Sequence, residues 1–300
     1  MKELLSHFQG CLVGVAVGDA LGAPVEGMSP EHIRSRWGQV TEMMAGRGWG
    51  RGEHTDDTAM TLCLARSLVE RGEFEPEDVA ARFLDWFQAG AKGIGRTTLI
   101  ALSELGRGAS WQEASLLAHH RLGGLSAGNG SIMRCAPIGL FYYRRPDRLI
   151  EASLESALIT HWDPRAGWAA VALNLLIAGL VQGRKEGLLE EVAGLMDNEE
   201  VSRVLLEASA GARERLVPSA YVLDTLKAAL GCFLQAPSFE AAVVSAVNLG
   251  GDTDTTGAVC GALAGAYFGL GGVPHRWLEP LYAKEELLDL AGRIYALAQP

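Results

Sequence analysis

Glycine returns at every fourth position through the apolar stretch near the start of the chain, at Gly10, Gly14, Gly18 and Gly22. It does so again near the end, at Gly257, Gly261, Gly265 and Gly269. A four-residue step repeats one face of an α-helix, whereas a strand would alternate every second residue. Glycine costs about 1 kcal/mol relative to alanine inside a helix, so eight of them in two ladders require a packing or functional reason. The ladders predict two central helices with smooth faces that admit close backbone contact, each being a natural counterpart for the other.

The pattern between the ladders is also helical. Pro24 ends the first helix near Gly22. Residues 27–53 read as a loop containing a short helix at 30–37 and then Ala45-Gly46-Arg47-Gly48-Trp49-Gly50-Arg51-Gly52, too rich in glycine for a regular element. This segment suits a lid over a site and a plain surface loop equally. An amphipathic helix follows at 59–71, closed by Gly72. Helices are expected at 74–88 and, after a break at 90–95, at 96–105. Asp163 and Pro164 make a cap and first position for another. Residues 188–215 read as charged and helical, with Glu190, Glu191, Asp197, Glu199 and Glu200 on a solvated face. Pro218 interrupts, and helices at 221–233 and 239–247 lead into the second ladder. With no strand alternation and no linker, the expectation is an all-α fold, a single compact multi-helix domain over residues 1–300.

Composition narrows the class. Of 300 residues, 48% are hydrophobic, enough for a sizeable core. The net charge of -10, with no basic run, argues against nucleic acid and anionic membrane as partners. An acidic substrate would then be met by metal or backbone amides. Cys11, Cys63, Cys135, Cys232 and Cys260 are dispersed and never spaced as a metal knuckle or redox pair, which predicts buried thiols in a reducing compartment. No cleavage site follows the apolar run at 11–17, so a cytoplasmic location is expected. Residues 166–183 and 258–273 approach membrane-spanning length but are rich in Ala and Gly, and Asn174 lies in the first; both read as buried core helices.

Candidate chemistry concentrates in a few stretches. Asn248-Leu249-Gly250-Gly251-Asp252-Thr253-Asp254-Thr255-Thr256-Gly257 offers carboxylates and hydroxyls on a bendable backbone. Such hard oxygen ligands suit Mg2+ or Mn2+ rather than zinc. His54-Thr55-Asp56-Asp57-Thr58 opens the 59–71 helix. Capping needs only one of these residues, so consecutive Thr55, Asp56 and Asp57 can also converge oxygens on a cation. Gly93-Ile94-Gly95 is a turn that could face a ligand. Leu122-Gly123-Gly124-Leu125-Ser126-Ala127-Gly128-Asn129-Gly130-Ser131 could turn successive N–H groups inward around a diphosphate, yet it lacks the strand and lysine of a P-loop. His161 falls at a helix junction, where a structural role and a ligand-binding role are both open.

Taken in order, these motifs resemble the ADP-ribosylglycohydrolase family, the relatives of dinitrogenase reductase-activating glycohydrolase. The resemblance is carried by Gly18-Asp19-Ala20-Leu21-Gly22 with Glu26, Thr55-Asp56-Asp57, Gly93-Ile94-Gly95, Gly128-Asn129-Gly130-Ser131-Ile132-Met133-Arg134, Thr160-His161 and Gly250-Gly251-Asp252-Thr253-Asp254-Thr255, and it spans nearly the whole chain. It implies a compact helical fold with a cleft for two Mg2+ or Mn2+ ions, held by Thr55, Asp56, Asp57, Asp252, Asp254 and Thr255. It also implies that Gly93, Ile94, Gly95, Ser126, Gly128, Asn129, Gly130, Ser131 and His161 hold the diphosphate and ribose of ADP-ribose. Tyr221 would shape the adenosine pocket, where Ala220 stands in place of a frequent glycine. Glu26 matches a glutamate that closes over the site. By analogy with glycoside hydrolysis, Asp56, Asp57, Asp254 and Glu26 are then candidates to steer or deprotonate the attacking water.

The implied activity is metal-dependent hydrolysis releasing ADP-ribose from a protein side chain, arginine or serine, or from a small-molecule adduct. Two other classes compete with it: another two-metal hydrolase such as a phosphoesterase, and a non-catalytic ADP-ribose binder or structural relative. The clustered His119 and His120 stand apart from the acidic motifs, against the former. Retention of all six ligand-type side chains stands against the latter.

Overall fold

A computed structural model describes residues 2–210 and 216–299. Among them are sixteen α-helices, three short 3-10 turns and no strand beyond two isolated bridges. The first half contains α1 (Lys2–Gly22), α2 (Pro30–Trp37), α3 (Asp56–Arg71), α4 (Pro76–Gln88), α5 (Arg96–Leu105), α6 (Trp111–Arg121), α7 (Ala136–Phe141) and α8 (Pro146–Leu158). The second contains α9 (Pro164–Val181), α10 (Leu188–Ala193), α11 (Glu199–Ser209), α12 (Val222–Gln235), α13 (Phe239–Val247), α14 (Thr253–Phe268), α15 (His275–Leu278) and α16 (Lys284–Leu297). The all-α expectation is met.

The two glycine ladders face each other, α1 antiparallel to α14. A methyl group added at Gly14 would lie 2.8 Å from the Gly261 carbonyl carbon and closer to its oxygen. One added at Gly257 would come 2.5 Å from the Gly18 carbonyl oxygen. The neighbours are backbone, which cannot rotate away, so the packing reason for glycine is literal contact between main chains. Gly269 differs from the expected pattern: α14 ends at Phe268, and Gly269 caps it with φ of 70°.

The remaining elements follow from local chemistry. Ser29 caps α2, with Pro30 at its first position, Thr55 caps α3, and Asp163 caps α9 ahead of Pro164. By length and composition alone, the segments 3–25 and 164–181 could cross a membrane, but 94% and 83% of their most apolar 18 residues are buried inside the fold. They are core helices, as expected for 166–183. All five cysteines are free and buried. The stretch expected as one helical region at 188–215 divides, because Gly194 ends α10 and Asn198 caps α11; residues 211–215 lie outside the described ones.

Candidate active site

One end of α1 holds both acidic turns. The Asp19 carboxylate is fully buried and accepts from the Thr55 N–H at 2.9 Å, the Thr58 N–H at 3.1 Å and the Thr58 hydroxyl at 2.6 Å. Asp56 and Asp57, the first residues of α3, are thereby pinned to α1. Three residues further along α1, the Gly22 carbonyl accepts from the Thr253 hydroxyl at 2.9 Å, which seats the start of α14. The chain just beyond α1 is tied to the same turn: the Gly27 N–H donates to Gly251 O at 2.7 Å, and the Gly251 N–H to Met28 O at 2.8 Å. Gly250 and Gly251 both have φ near 70°, and a methyl on Gly250 would sit 2.6 Å from Met28 O. Only glycine reconciles that backbone with that contact. Asp252 and Asp254, some 200 residues away in sequence, and Glu26, 30 residues before Asp56, are thus brought beside Asp56 and Asp57.

These side chains line a cavity of about 600 Å3. Glu26, Asp56, Asp57, Asp252, Asp254 and Thr255 face it, as do Gly93, Gly95, Gly128, Asn129, Gly130, His161 and Tyr221. Four residues named from the sequence do not line it. Thr55 is buried, and its hydroxyl donates to Asp57 Oδ2 at 3.1 Å. Ser126 bonds His119 Nδ1 at 2.6 Å, Ser131 donates to Ala166 O at 2.9 Å, and Ile94 packs against the core. The N–H of Asn129 is also spent, on Ala220 O, so the glycine loop offers a ligand fewer inward amides than its composition suggests.

The acidic wall lacks cationic partners. Among the described residues none of Asp56, Asp57, Asp252 and Asp254 forms an ion pair with Lys, Arg or His, and buried Asp57 Oδ1 has no hydrogen-bond partner. Burial first, then the charge of Asp19, push Asp56 up to about 8. Asp57 is pushed well above the usual carboxylate range by burial first and then by Asp19 and Asp56, and Asp254 by burial first and then by Asp57 and Asp252. Glu26, half-buried, is raised by burial and then by Asp252. Among the described residues no three acidic, His or Cys side chains close into a ready cation cage. The donor set nonetheless fits a hard divalent cation, which keeps several waters and needs only one or two carboxylates directly. The orphaned Asp57 oxygen and the absence of counter-charge are what such a cation would satisfy.

A pH dependence follows for the cation-free protein. With folded-state pKa values above the ordinary 3.8, the native chain keeps protons that the unfolded chain releases between about pH 4 and about pH 8. Stability therefore falls as pH rises through that window. Melting curves in chelator should shift down from pH 5 to pH 8, and a flat profile would contradict the repulsion described.

The opposite wall is built around a neutral histidine. His161 is buried, and its pKa is driven down to about 3, by burial first and then by Arg134, so the ring is neutral. Its Nδ1 lies 2.8 Å from the Thr160 hydroxyl, which already accepts from Arg134 Nη2 at 2.7 Å. The hydroxyl proton is therefore assigned to Nδ1, leaving Nε2–H for the cavity. The glycine loop is cut to this ring: a methyl on Gly128 would lie 3.0 Å from Nε2, and one on Gly130 2.8 Å from Cε1.

Some ties between named residues, and several further residues, were not visible from sequence. The Asn129 amide donates to Asp252 Oδ2 at 2.8 Å and to Thr225 at 3.0 Å, joining the glycine loop to the acidic turn. Arg165, held by Asp163 at 2.8 Å, lies with its guanidinium 5.5 Å from the Tyr221 ring centroid and donates to its hydroxyl at 3.2 Å. Arg96, Thr97, Thr98 and Arg121 complete the wall. The only signal for them was position next to a motif.

A sequence model of ADP-ribosylglycohydrolase matches residues 1–300. The chain is 34% identical over 295 residues to a Rhodospirillum rubrum protein named ADP-ribosyl-[dinitrogen reductase] glycohydrolase, covering 94% of this chain and 96% of that one. It is 31% identical over 313 residues to a Serratia proteamaculans protein named ADP-ribosylarginine hydrolase Tri1, covering 99% and 81%. A solved structure titled ADP-ribosylglycohydrolase-related protein complex superposes over 100% of both chains, with a TM-score of 0.85 and 37% identity.

Proposed function

Since the chain belongs to the ADP-ribosylglycohydrolase family, we propose that its cavity hydrolyses the bond between C1 of the distal ribose of ADP-ribose and a modified side chain, releasing ADP-ribose. The observation that carries this reading is the single cavity in which four uncompensated aspartates face a neutral histidine and a glycine loop. Its volume of about 600 Å3 suits a nucleotide-sized ligand. Arginine is the leading leaving group, because the names of two relatives at 31% identity specify that linkage.

Asp56, Asp57, Asp252, Asp254 and Thr255 would hold divalent cations, Mg2+ or Mn2+. When bound, these would supply Lewis-acid charge beside the distal ribose. The chain's own residues do the rest. Asn129 and the Gly251 pairing orient Asp252, and Asp19 and Thr55 orient the Asp56–Asp57 turn. His161 Nε2–H donates to a substrate oxygen, and the Tyr221–Arg165 pair offers a flat face to the adenine. A wall carboxylate, with Glu26 placed at the mouth beside Asp252, takes the proton of the attacking water as its oxygen bonds to C1. The C1 bond to the side chain breaks with its electron pair, and the departing nitrogen or oxygen receives a proton. Five free, buried thiols support a reducing, cytoplasmic setting.

The test is ADP-ribose release from ADP-ribosylarginine and from serine-linked peptides, with Mg2+, Mn2+ or chelator. Chelation should lower the rate at least about 100-fold, and restored Mg2+ or Mn2+ should recover it. Undiminished release in chelator would refute the cation requirement. AMP as product would indicate a phosphoesterase, and tight ADP-ribose binding without release a binder.

A further inference from the structure

On a chain of net charge -10, two exposed arginines stand at the cavity wall, Arg47 beside Glu26 and Arg96 at the start of α5. Gly46 and Trp49 pair through both backbone bonds, at 3.0 and 2.9 Å, forming a tight turn with Arg47 (φ 51°) and Gly48 (φ 85°) at its tip. Lys92 holds this turn in place. Its Nζ lies 3.7 Å above the Trp49 ring, donates to Gly48 O at 2.6 Å and pairs with Glu53 at 2.9 Å. The far end of the loop is fastened by the Tyr282 N–H donating to Gly52 O at 2.9 Å. Arg47 extends from the tip toward Gly27, 3.9 Å from where a methyl on that glycine would stand, and so beside Glu26 on the cavity wall. Arg51 is exposed on the same loop, and Arg96, also exposed, lines the cavity at the start of α5.

Among the described residues Arg47, Arg51 and Arg96 enter no ion pair, whereas most other arginines, such as Arg66, Arg71, Arg82 and Arg276, are matched by carboxylates. The charge of Arg47 is felt by Glu26 without an ion pair closing between them, and burial of apolar surface explains none of these three exposed cations. We propose that this lip docks an acidic stretch of the ADP-ribosylated protein, flanking the modified residue. The proposal rests on the glycohydrolase reading and adds a partner of stated chemistry to it. A polypeptide carrying the modified side chain into the cavity must pass over residues beside Glu26, and flanking Asp or Glu would meet Arg47 and Arg51 there. Exposed charges of this kind steer and select a partner more than they tighten it.

The experiment compares arginine-linked ADP-ribosylated peptides with flanking Asp and Glu against the same peptide with flanking Lys, by kcat/KM and by fluorescence-polarisation affinity. At low salt the acidic peptide should be favoured roughly tenfold. The two should converge near about 0.5 M salt, where screening is short-ranged. The double variant Arg47→Gln/Arg51→Gln should bring the ratio within about twofold; because the readout is a ratio inside each variant, altered stability does not imitate it. A wild-type ratio near one, or a ratio unchanged in the double variant, overturns the docking surface. So does an equal rise in KM for both peptides and for free ADP-ribosylarginine, which would assign the lip to the substrate's own diphosphate. Hydrolysis of free ADP-ribosylarginine reports the glycohydrolase reading separately: no release there, with the affinity ranking intact, refutes that reading and leaves the surface standing.

Discussion

Gly14→Ala should destabilise the protein by at least ~3 kcal/mol, a large share of the ~5–15 kcal/mol that holds a typical domain together. The added methyl would stand 2.8 Å from the Gly261 carbonyl carbon and nearer its oxygen. Neither can rotate aside, so α1 and α14 would have to separate along their length, losing contact at Gly10, Gly18 and Gly22 as well. Gly292→Ala is the matched control. It lies within α16 with nothing inside 4 Å of the added methyl, and should be neutral or stabilising by up to ~1 kcal/mol. Urea denaturation of both variants distinguishes the cases: an unchanged midpoint for Gly14→Ala would mean that the helices are not held at backbone contact.

Asp254→Asn should move activity and stability in opposite directions. Hydrolysis should fall about a thousandfold, the equivalent of ~4 kcal/mol in the barrier, since a charged donor to the proposed cation site is lost. The cation-free protein should meanwhile melt about 2–4 °C higher at pH 8 for each ~1 kcal/mol of repulsion relieved. Asp254 is buried against Asp57, Asp252 and Glu26, and an amide in its place can donate to Asp252 without carrying charge. Function and stability compete at this position, as at other sites where a native charge is kept for its use. More than a tenth of wild-type activity in the variant would remove Asp254 from the site, and a lower melting temperature in chelator would remove the repulsion.

What could be read beforehand was whatever repeats or caps locally. The ladders announced α1 and α14 because a four-residue glycine step is costly unless something fills the space, and Asp163 announced α9 as a cap ahead of proline. The break between α10 and α11 was equally local, at Gly194 and Asn198, but the charged face ran through it and masked it. Side-chain ties across the fold left no such trace. Asn129 sits in a loop that looks built for amides, yet its own side chain reaches 123 positions along the chain to Asp252. Asp19 stood in the sequence only as part of the Gly18–Gly22 motif, while its donors, Thr55 and Thr58, lie at the start of α3 and its cap. Ser126 and Ser131 matched a binding motif, and their hydroxyls turned out to brace the loop from behind.

The backbone contact between α1 and α14 has a consequence for synthesis. The Gly22 carbonyl and the Thr253 hydroxyl that meet in the native state are 231 residues apart. At roughly 5–20 residues per second, a ribosome needs about 10–50 s to make the second after the first. For that interval the nascent chain carries an apolar, glycine-notched helix whose partner does not yet exist. The acidic wall cannot assemble before then either, since both halves are referenced to α1. The site is completed only after residues 252–255 have been made, and until then the first helix has α3 and α9, not α14, to cover it.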